Sequence, residues 1–109
     1  MLKKRAKKVF LLAGKELDGV FITSPENVRY LTGFSGTEGS LLLLKDQGFF
    51  LTDGRYTVQA GEQVKDFRTI IFNEKWKTLA WLINKYKVKS IGYESKNLTL
   101  DLLIHSQLI

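Results

Sequence analysis

Ser40-Leu41-Leu42-Leu43-Leu44-Lys45 and Phe49-Phe50-Leu51-Thr52 flank Asp46-Gln47-Gly48, so two apolar runs enclose a polar tripeptide that ends in glycine. Short runs of this kind about a glycine turn read as an antiparallel hairpin. The four leucines do not alternate with polar residues, so both faces of their strand are expected to be covered. A sheet covered on both faces needs helices from the remainder of the chain on either side.

Upstream, residues 17–23 (LDGVFIT) are short and rich in β-branched and aromatic side chains, which predicts a strand. Ser24 can then cap a helix, Pro25 suits its first position and Glu26 complements the dipole. That helix, over 25–32, meets Gly33, suited to a left-handed C-terminal position, and Phe34 follows where an apolar side chain packs back. Residues 34–39 (FSGTEG) form a loop of mostly small residues. Nearer the N-terminus, Leu2, Ala6, Val9, Phe10 and Ala13 share one face of an amphipathic helix that Gly14 ends, with lysines on its wet face.

Downstream, Asp53 is placed to cap a helix in which Tyr56, Ala60 and Val64 share a face. Residues 67–72 (FRTIIF) predict a further strand, and Asn73 a cap for a helix carrying Trp76, Leu79, Ala80, Ile83 and Tyr86. Residues 91–93 complete the sheet, and Thr99 caps a last helix from Leu100 onward. The fold class that follows is α/β: three layers, with a mixed parallel and antiparallel sheet of about five strands and helices on both faces. Leu102, Leu103, Ile104, Leu108 and Ile109 make the last helix apolar on more than one side. The expectation is a domain excised from a longer protein, with Leu103, Ile104, Leu108 and Ile109 exposing apolar surface that the parent buries.

A chain of 109 residues allows one compact domain. It contains no cysteine and one histidine, His105, which excludes disulfides, cysteine-bound zinc and any site built on two imidazoles. A self-contained metalloenzyme is therefore not expected. The net charge of +6 is concentrated in Lys3, Lys4, Arg5, Lys7 and Lys8, and the remainder is nearly neutral. The apolar residues after this basic stretch are too few for a signal peptide, and no run approaches the ~20 residues of a membrane span, so a soluble cytoplasmic protein is expected. The basic segment would bind nucleic acid only through salt-dependent charge contacts; it lacks interleaved aromatics and a recognition helix, which disfavours that reading. A nuclease would need Asp18, Asp53 and Glu94 to converge, and nothing in the pattern brings them together.

Two clusters remain: Asn27-Val28-Arg29-Tyr30-Leu31-Thr32-Gly33-Phe34-Ser35-Gly36, and Thr52-Asp53-Gly54-Arg55-Tyr56 with Gln59-Ala60 after it. With the hairpin between them they resemble the N-terminal domain of the creatinase, prolidase and aminopeptidase P family, whose members carry N-x-x-Y-L-T-G-F and then D-x-R-Y. The resemblance runs from about Lys3 to the last helix and implies the ribonuclease H-like creatinase N-terminal fold. It also implies a two-domain parent, a metal-dependent Xaa-Pro peptidase of aminopeptidase or dipeptidase type. In such a parent a C-terminal catalytic domain binds two divalent metal ions, such as manganese or cobalt, and cleaves proline-containing peptides before proline. No cofactor and no catalytic or metal-ligating residue is implied for the present chain, and His105 is left as structural or interfacial.

The implied partners are the chain's own catalytic domain and further copies, in a homodimer or higher homo-oligomer. The loop Phe34, Ser35, Gly36, Thr37, Glu38 and Gly39 would reach toward a neighbouring active-site mouth. The candidates for substrate access or partner contact are therefore Phe34, Ser35, Gly36, Thr37, Glu38, Arg55 and Tyr56. Plainer readings stand beside these. Tyr30 and Phe34 read as core packing at a helix end, the loop as mere connection, Arg29 as a surface charge, and Trp76 and Trp81 as core and domain interface. Arg55 sits at a helix start, where the dipole disfavours a cation. It calls for either an intradomain partner or a place at the cleft. The alternative function is a non-catalytic interaction domain of a relative without peptidase activity.

Overall fold

The computed structural model describes residues 4–13 and 17–93. The hairpin forms as the sequence demands, with β2 (Ser40–Leu44) antiparallel to β3 (Gly48–Asp53) and Leu41 opposite Phe50, Leu42 opposite Phe49. The Leu44 N–H donates to the Gln47 carbonyl at 2.7 Å and closes the turn. Leu41 and Leu43 enter one core cluster, Leu42 and Leu44 the other, which is why four leucines stand in a row. Burying each such side chain contributes about 1.5–3 kcal/mol.

The first core layer is helical. In α1 (Lys4–Ala13) Ala6, Val9 and Phe10 are buried while Lys4, Arg5, Lys7 and Lys8 face solvent. After β1 (Gly19–Ile22), the Ser24 hydroxyl accepts from the Asn27 N–H at 3.3 Å and Pro25 opens α2 (Pro25–Thr32). Gly33 ends that helix at φ 82°, its N–H donating to the Arg29 carbonyl at 2.8 Å. The Thr32 hydroxyl donates to the Val28 carbonyl at 2.7 Å and accepts from the Phe34 N–H at 3.0 Å, which turns Phe34 into the core.

Beyond β3, Asp53 caps a single 3-10 turn (Gly54–Tyr56) instead of opening the α-helix directly, and α3 (Thr57–Gln63) follows it. Then come β4 (Arg68–Phe72), α4 (Lys75–Lys85) and β5 (Ile91–Tyr93). The five strands lie in the order β4-β3-β2-β1-β5, with β1·β5 and β3·β4 parallel and the other pairs antiparallel. Side chains of α1, α2 and α3 pack with Val20, Ile22, Leu41, Leu43 and Phe50 on one face. On the other, α4 packs with Phe21, Leu42, Leu44, Phe49, Leu51 and Phe72. The expected mixed sheet with helices on both faces is observed.

Departures concentrate in α4. Its N-cap is Glu74, which makes no side-chain cap bond, and not Asn73, because pairing with β3 keeps the chain extended through Phe72. Its buried stripe is Leu79 and Leu82, with Ile83 and Tyr86 half-buried, and Ala80 is exposed. Neither tryptophan is in the core. Trp76 is 66% exposed, T-shaped to Phe21 at 6.3 Å and with Lys75 Nζ 5.1 Å from its ring centre, and Trp81, on the far side of the helix from Leu79, is 54% exposed. The helix ends through Lys87 at φ 55°, with the Val88 N–H donating to the Ile83 carbonyl at 2.9 Å. No described helix is long and apolar enough to cross a membrane. Leu2, Gly14, Glu94 and the helix expected from Leu100, with His105, Leu103, Ile104, Leu108 and Ile109, lie outside the described residues.

Candidate functional site

Because the hairpin is antiparallel, the start of β2 lies beside the end of β3, with Ser40 opposite Leu51. The loop that enters β2 and the turn that leaves β3 are thereby brought to the same end of the sheet, and the two sequence clusters become one site. Phe34 is its floor: buried, tilted against Phe50 with ring centres 4.7 Å apart, and edge-on to Tyr56 at 5.4 Å. Gly36 passes so close over these rings that a Cβ there would lie 2.8 Å from Tyr56 Cε1. Only glycine fits without displacing an aromatic ring.

Polar bonds then tie the loop down. Thr37 Oγ1 lies 2.6 Å from the Tyr56 hydroxyl, which also accepts from the Thr37 N–H at 3.4 Å. The Ser35 N–H donates to Gln63 Oε1 at 2.9 Å, while Gln59 Nε2 and Gln63 Nε2 donate to Ser35 Oγ at 3.1 and 3.0 Å. The Thr52 hydroxyl donates to the Glu38 carbonyl, and the Glu38 carboxylate faces Lys75 Nζ at 3.5 Å. The loop is thus held by β3, α3, α4 and the 3-10 turn together.

Arg55 has the carboxylate partner its position called for. Its Nε and Nη2 donate to Asp53 Oδ1 and Oδ2 at 2.7–3.1 Å, and the Asp53 carboxylate also accepts the Arg55 N–H at 2.9 Å. One aspartate therefore caps the turn and offsets the cation beside it. The Arg55 side chain remains 68% exposed, with its guanidinium carbon 5.2 Å from the centre of the Tyr56 ring. The Arg55 hydrogen bond holds the Asp53 carboxyl below its ordinary value, and Asp53 raises the guanidinium in return. The Tyr56 phenol is lowered, chiefly by its side-chain bond to Thr37.

All seven candidate residues, Phe34, Ser35, Gly36, Thr37, Glu38, Arg55 and Tyr56, thus fall in one neighbourhood. Phe34 is its foundation, and Ser35, Thr37 and Arg55 are its exposed rim. Gln63 was not marked by the sequence reading; the only signal was its i,i+4 spacing from Gln59, which puts both amides on one face of α3. Tyr30 does not join this site and is not core: it is 45% exposed, and Arg5 lies over its ring at 4.5 Å while donating to its carbonyl at 3.0 Å. Arg29 is exposed as expected.

Chemically the rim offers hydroxyls, amides and a paired guanidinium. Groups of these kinds can orient or exclude a neighbouring chain. Among the described residues no group of three or more His, Cys, Asp or Glu is arranged to hold a metal. A two-metal centre does not fit these side chains. Of the acids that a nuclease would need, Asp18 and Asp53 stay apart, and Glu94 lies outside the described residues. Asp18 stands just before the start of β1, where its carboxylate accepts from the Lys89 and Ser90 N–H groups at 2.7 and 3.3 Å. Asp53 ends β3, a strand with the same direction as β1, so the two lie at opposite ends of the sheet.

Fold and site together define a three-layer α/β domain in which a Y-L-T-G-F loop is pinned to a D-x-R-Y turn. The chain matches the Creatinase/Prolidase N-terminal domain family over residues 5–107, and it belongs to that family. It is 40% identical over 84 residues to the "Uncharacterized peptidase YqhT" of Bacillus subtilis, covering 76% of this chain and 24% of that protein. The structure is similar to the Xaa-Pro dipeptidase from Bacillus anthracis, with TM-score 0.77 and 26% identity over 87% of this chain and 28% of that one. It is also similar to the N-terminal domain of the cytoplasmic peptidase PepQ from Mycobacterium tuberculosis, with TM-score 0.73 and 35% identity over 93% of this chain and 81% of that one. The chain therefore spans about a quarter of the length of the curated relative named above.

Proposed function

We propose that this chain is the non-catalytic N-terminal domain of a metal-dependent Xaa-Pro peptidase, of aminopeptidase P or prolidase type, and that it shapes substrate access and subunit assembly. The observation that carries this reading is the pinned loop: residues 35–38 are held in place by Tyr56, Gln63, Thr52 and Lys75 while Ser35, Thr37 and Arg55 stay exposed. A loop fixed from four directions can present a defined edge to a cleft. Divalent metal ions, such as manganese or cobalt, and the groups that bind them belong in this reading to a following catalytic domain. Proline-containing peptides are that domain's substrates. A cytoplasmic location agrees with the described helices, none of which could cross a membrane, and with the cytoplasmic relative.

The test uses the parent peptidase and Xaa-Pro substrates of two and three residues. Replacing Ser35 by Lys, which enlarges the rim and removes the hydroxyl that Gln59 and Gln63 donate to while leaving Phe34 and Tyr56 in place, is expected to raise KM and to shift the preference between the two lengths, with kcat at saturation retained. Unchanged kinetics for both substrates would remove the loop from the access route. A parent that hydrolyses neither substrate with any divalent metal points instead to the interaction domain of a relative without peptidase activity.

A further inference from the structure

A cavity of about 420 Å³ lies between the start of α1, the end of α2 and the residues that precede β4. Buried Ala6 and Phe67 give its lining an apolar part, and three cations complete it: Lys4 and Arg5 from α1 and Arg29 from α2. None of the seven residues of the loop site lines it. Like charges repel, so three cations around one cavity call for a countercharge. Arg5 is already fixed in place, since its Nη1 donates to the Tyr30 carbonyl at 3.0 Å and its guanidinium carbon lies 4.5 Å from the centre of the Tyr30 ring. That bond takes up a carbonyl at the end of α2, whose dipole would otherwise disfavour an anion there. Lys4 and Arg29 are exposed and form no ion pair among the described residues. Asp66, the one carboxylate in the lining, already has a partner.

We infer that this cavity binds a compact multivalent anion, a phosphate-bearing small molecule, between Lys4, Arg5 and Arg29. Elsewhere in the chain one guanidinium satisfies both oxygens of a carboxylate, as Arg55 does for Asp53, so three cations exceed what a lone carboxylate needs. A phosphate group carries about two negative charges and three strong acceptor oxygens, and suits the planar fork of arginine. The placement of charge also separates a compact ligand from a strand. Lys7 and Lys8, exposed on α1, do not line the cavity, so the cations converge on a point and do not form the track that a nucleic-acid backbone follows. The cavity is larger than a phosphate group, and the half-exposed Tyr30 beside Arg5 offers an attached organic group a surface to lie on. The inference goes beyond the peptidase reading and does not depend on it.

The probe is inorganic pyrophosphate, titrated into the natural chain at constant ionic strength. It should raise the melting temperature saturably and move the amide NMR signals of Lys4, Arg29 and Tyr30. Lys4→Glu and Arg29→Glu should each weaken binding by about tenfold or more, the loss expected for one charge-assisted hydrogen bond. Neither residue holds the fold together through an ion pair, and circular dichroism on each variant separates lost binding from lost folding. Lys85→Glu makes the same change of net charge on α4, across the sheet, and should leave binding intact. No saturable shift at millimolar pyrophosphate overturns the inference, as does equal weakening by Lys85→Glu, which would leave only a net-charge effect. Citrate binding as tightly as pyrophosphate overturns the assignment to phosphate. A single-stranded oligothymidylate that binds where pyrophosphate does not overturns the compact ligand in favour of a strand. None of these results bears on the hydrolysis assay, which tests the peptidase reading separately.

Discussion

The Tyr56 hydroxyl and Thr37 Oγ1 stand 2.6 Å apart, joining the loop before β2 to the turn after β3 across a separation of 19 residues. The ring of Tyr56 simultaneously packs edge-on against Phe34. One side chain thus gives the loop both its polar tie and its apolar seat.

Removing only the hydroxyl should uncouple these roles. Tyr56→Phe is expected to keep the fold, lower the melting temperature and speed amide exchange at residues 35–38. Thr37→Val should do so to a smaller extent, and the double variant should melt no lower than Tyr56→Phe alone, because loss of the Tyr56 hydroxyl already removes the bond that Thr37→Val breaks. Additive losses in the thermal melts would show that the two side chains act independently.

The glycines should respond in opposite directions. Gly36→Ala places a Cβ 2.8 Å from Phe34 Cε2 and from Tyr56 Cε1, and overpacking of this kind costs about 1–3 kcal/mol. Gly61, inside α3, has open space around a built Cβ, so Gly61→Ala should stabilise by about 0.5–1 kcal/mol through helix propensity and chain entropy. Urea denaturation of both variants checks the signs.

Lys87 adopts φ 55° at the end of α4, where the left-handed conformation costs an L-residue about 1–2 kcal/mol and glycine little. Lys87→Gly should therefore gain about 0.5–1 kcal/mol after its own entropy cost. A loss of stability on chemical denaturation would count against the C-terminal cap as the reason for the helix ending there.

The Asp53 carboxyl is held below its ordinary value by the Arg55 hydrogen bond. For a group lowered on folding, its stabilisation is complete above the unfolded carboxylate range, near pH 4, and is lost as pH falls through the lower folded value. The melting temperature of the natural chain should therefore fall below about pH 4 more steeply than that of Asp53→Asn. Arg55→Ala should remove part of that extra slope, since the guanidinium bond is the first cause of the shift while the residue-55 backbone N–H bond to Asp53 is kept. Matching acid limbs for all three proteins would place the pH dependence elsewhere.

What was legible in the sequence was local. Ser24, Pro25 and Gly33 mark the ends of α2 because capping is settled by groups within a turn or so of one another. The hairpin was legible for the same reason: its turn and its apolar arms are adjacent in the chain, and the unbroken leucines reported a strand covered on both faces. Arg55 at a helix start could be read as needing a partner, but that Asp53, the capping residue itself, supplies it was not marked by the pattern.

Tertiary structure alone decided which side of α4 faces the sheet. Its apolar residues extend around most of the helix, so Trp76, Ala80 and Leu82 compete for the core on pattern alone. The sheet face opposite selects Leu79 and Leu82 and leaves Trp76 and Trp81 in solvent. Tyr30 was misread for a related cause: an aromatic side chain near a helix end carries no mark of whether a core or an arginine such as Arg5 will cover it. The site shows the division most directly. Each half was visible as a motif, but the bonds from Ser35 to Gln63, Thr37 to Tyr56 and Glu38 to Lys75 span 28, 19 and 37 residues. Periodicity and capping report on neighbours along the chain, whereas those contacts exist only because an antiparallel hairpin returns the end of β3 to the start of β2.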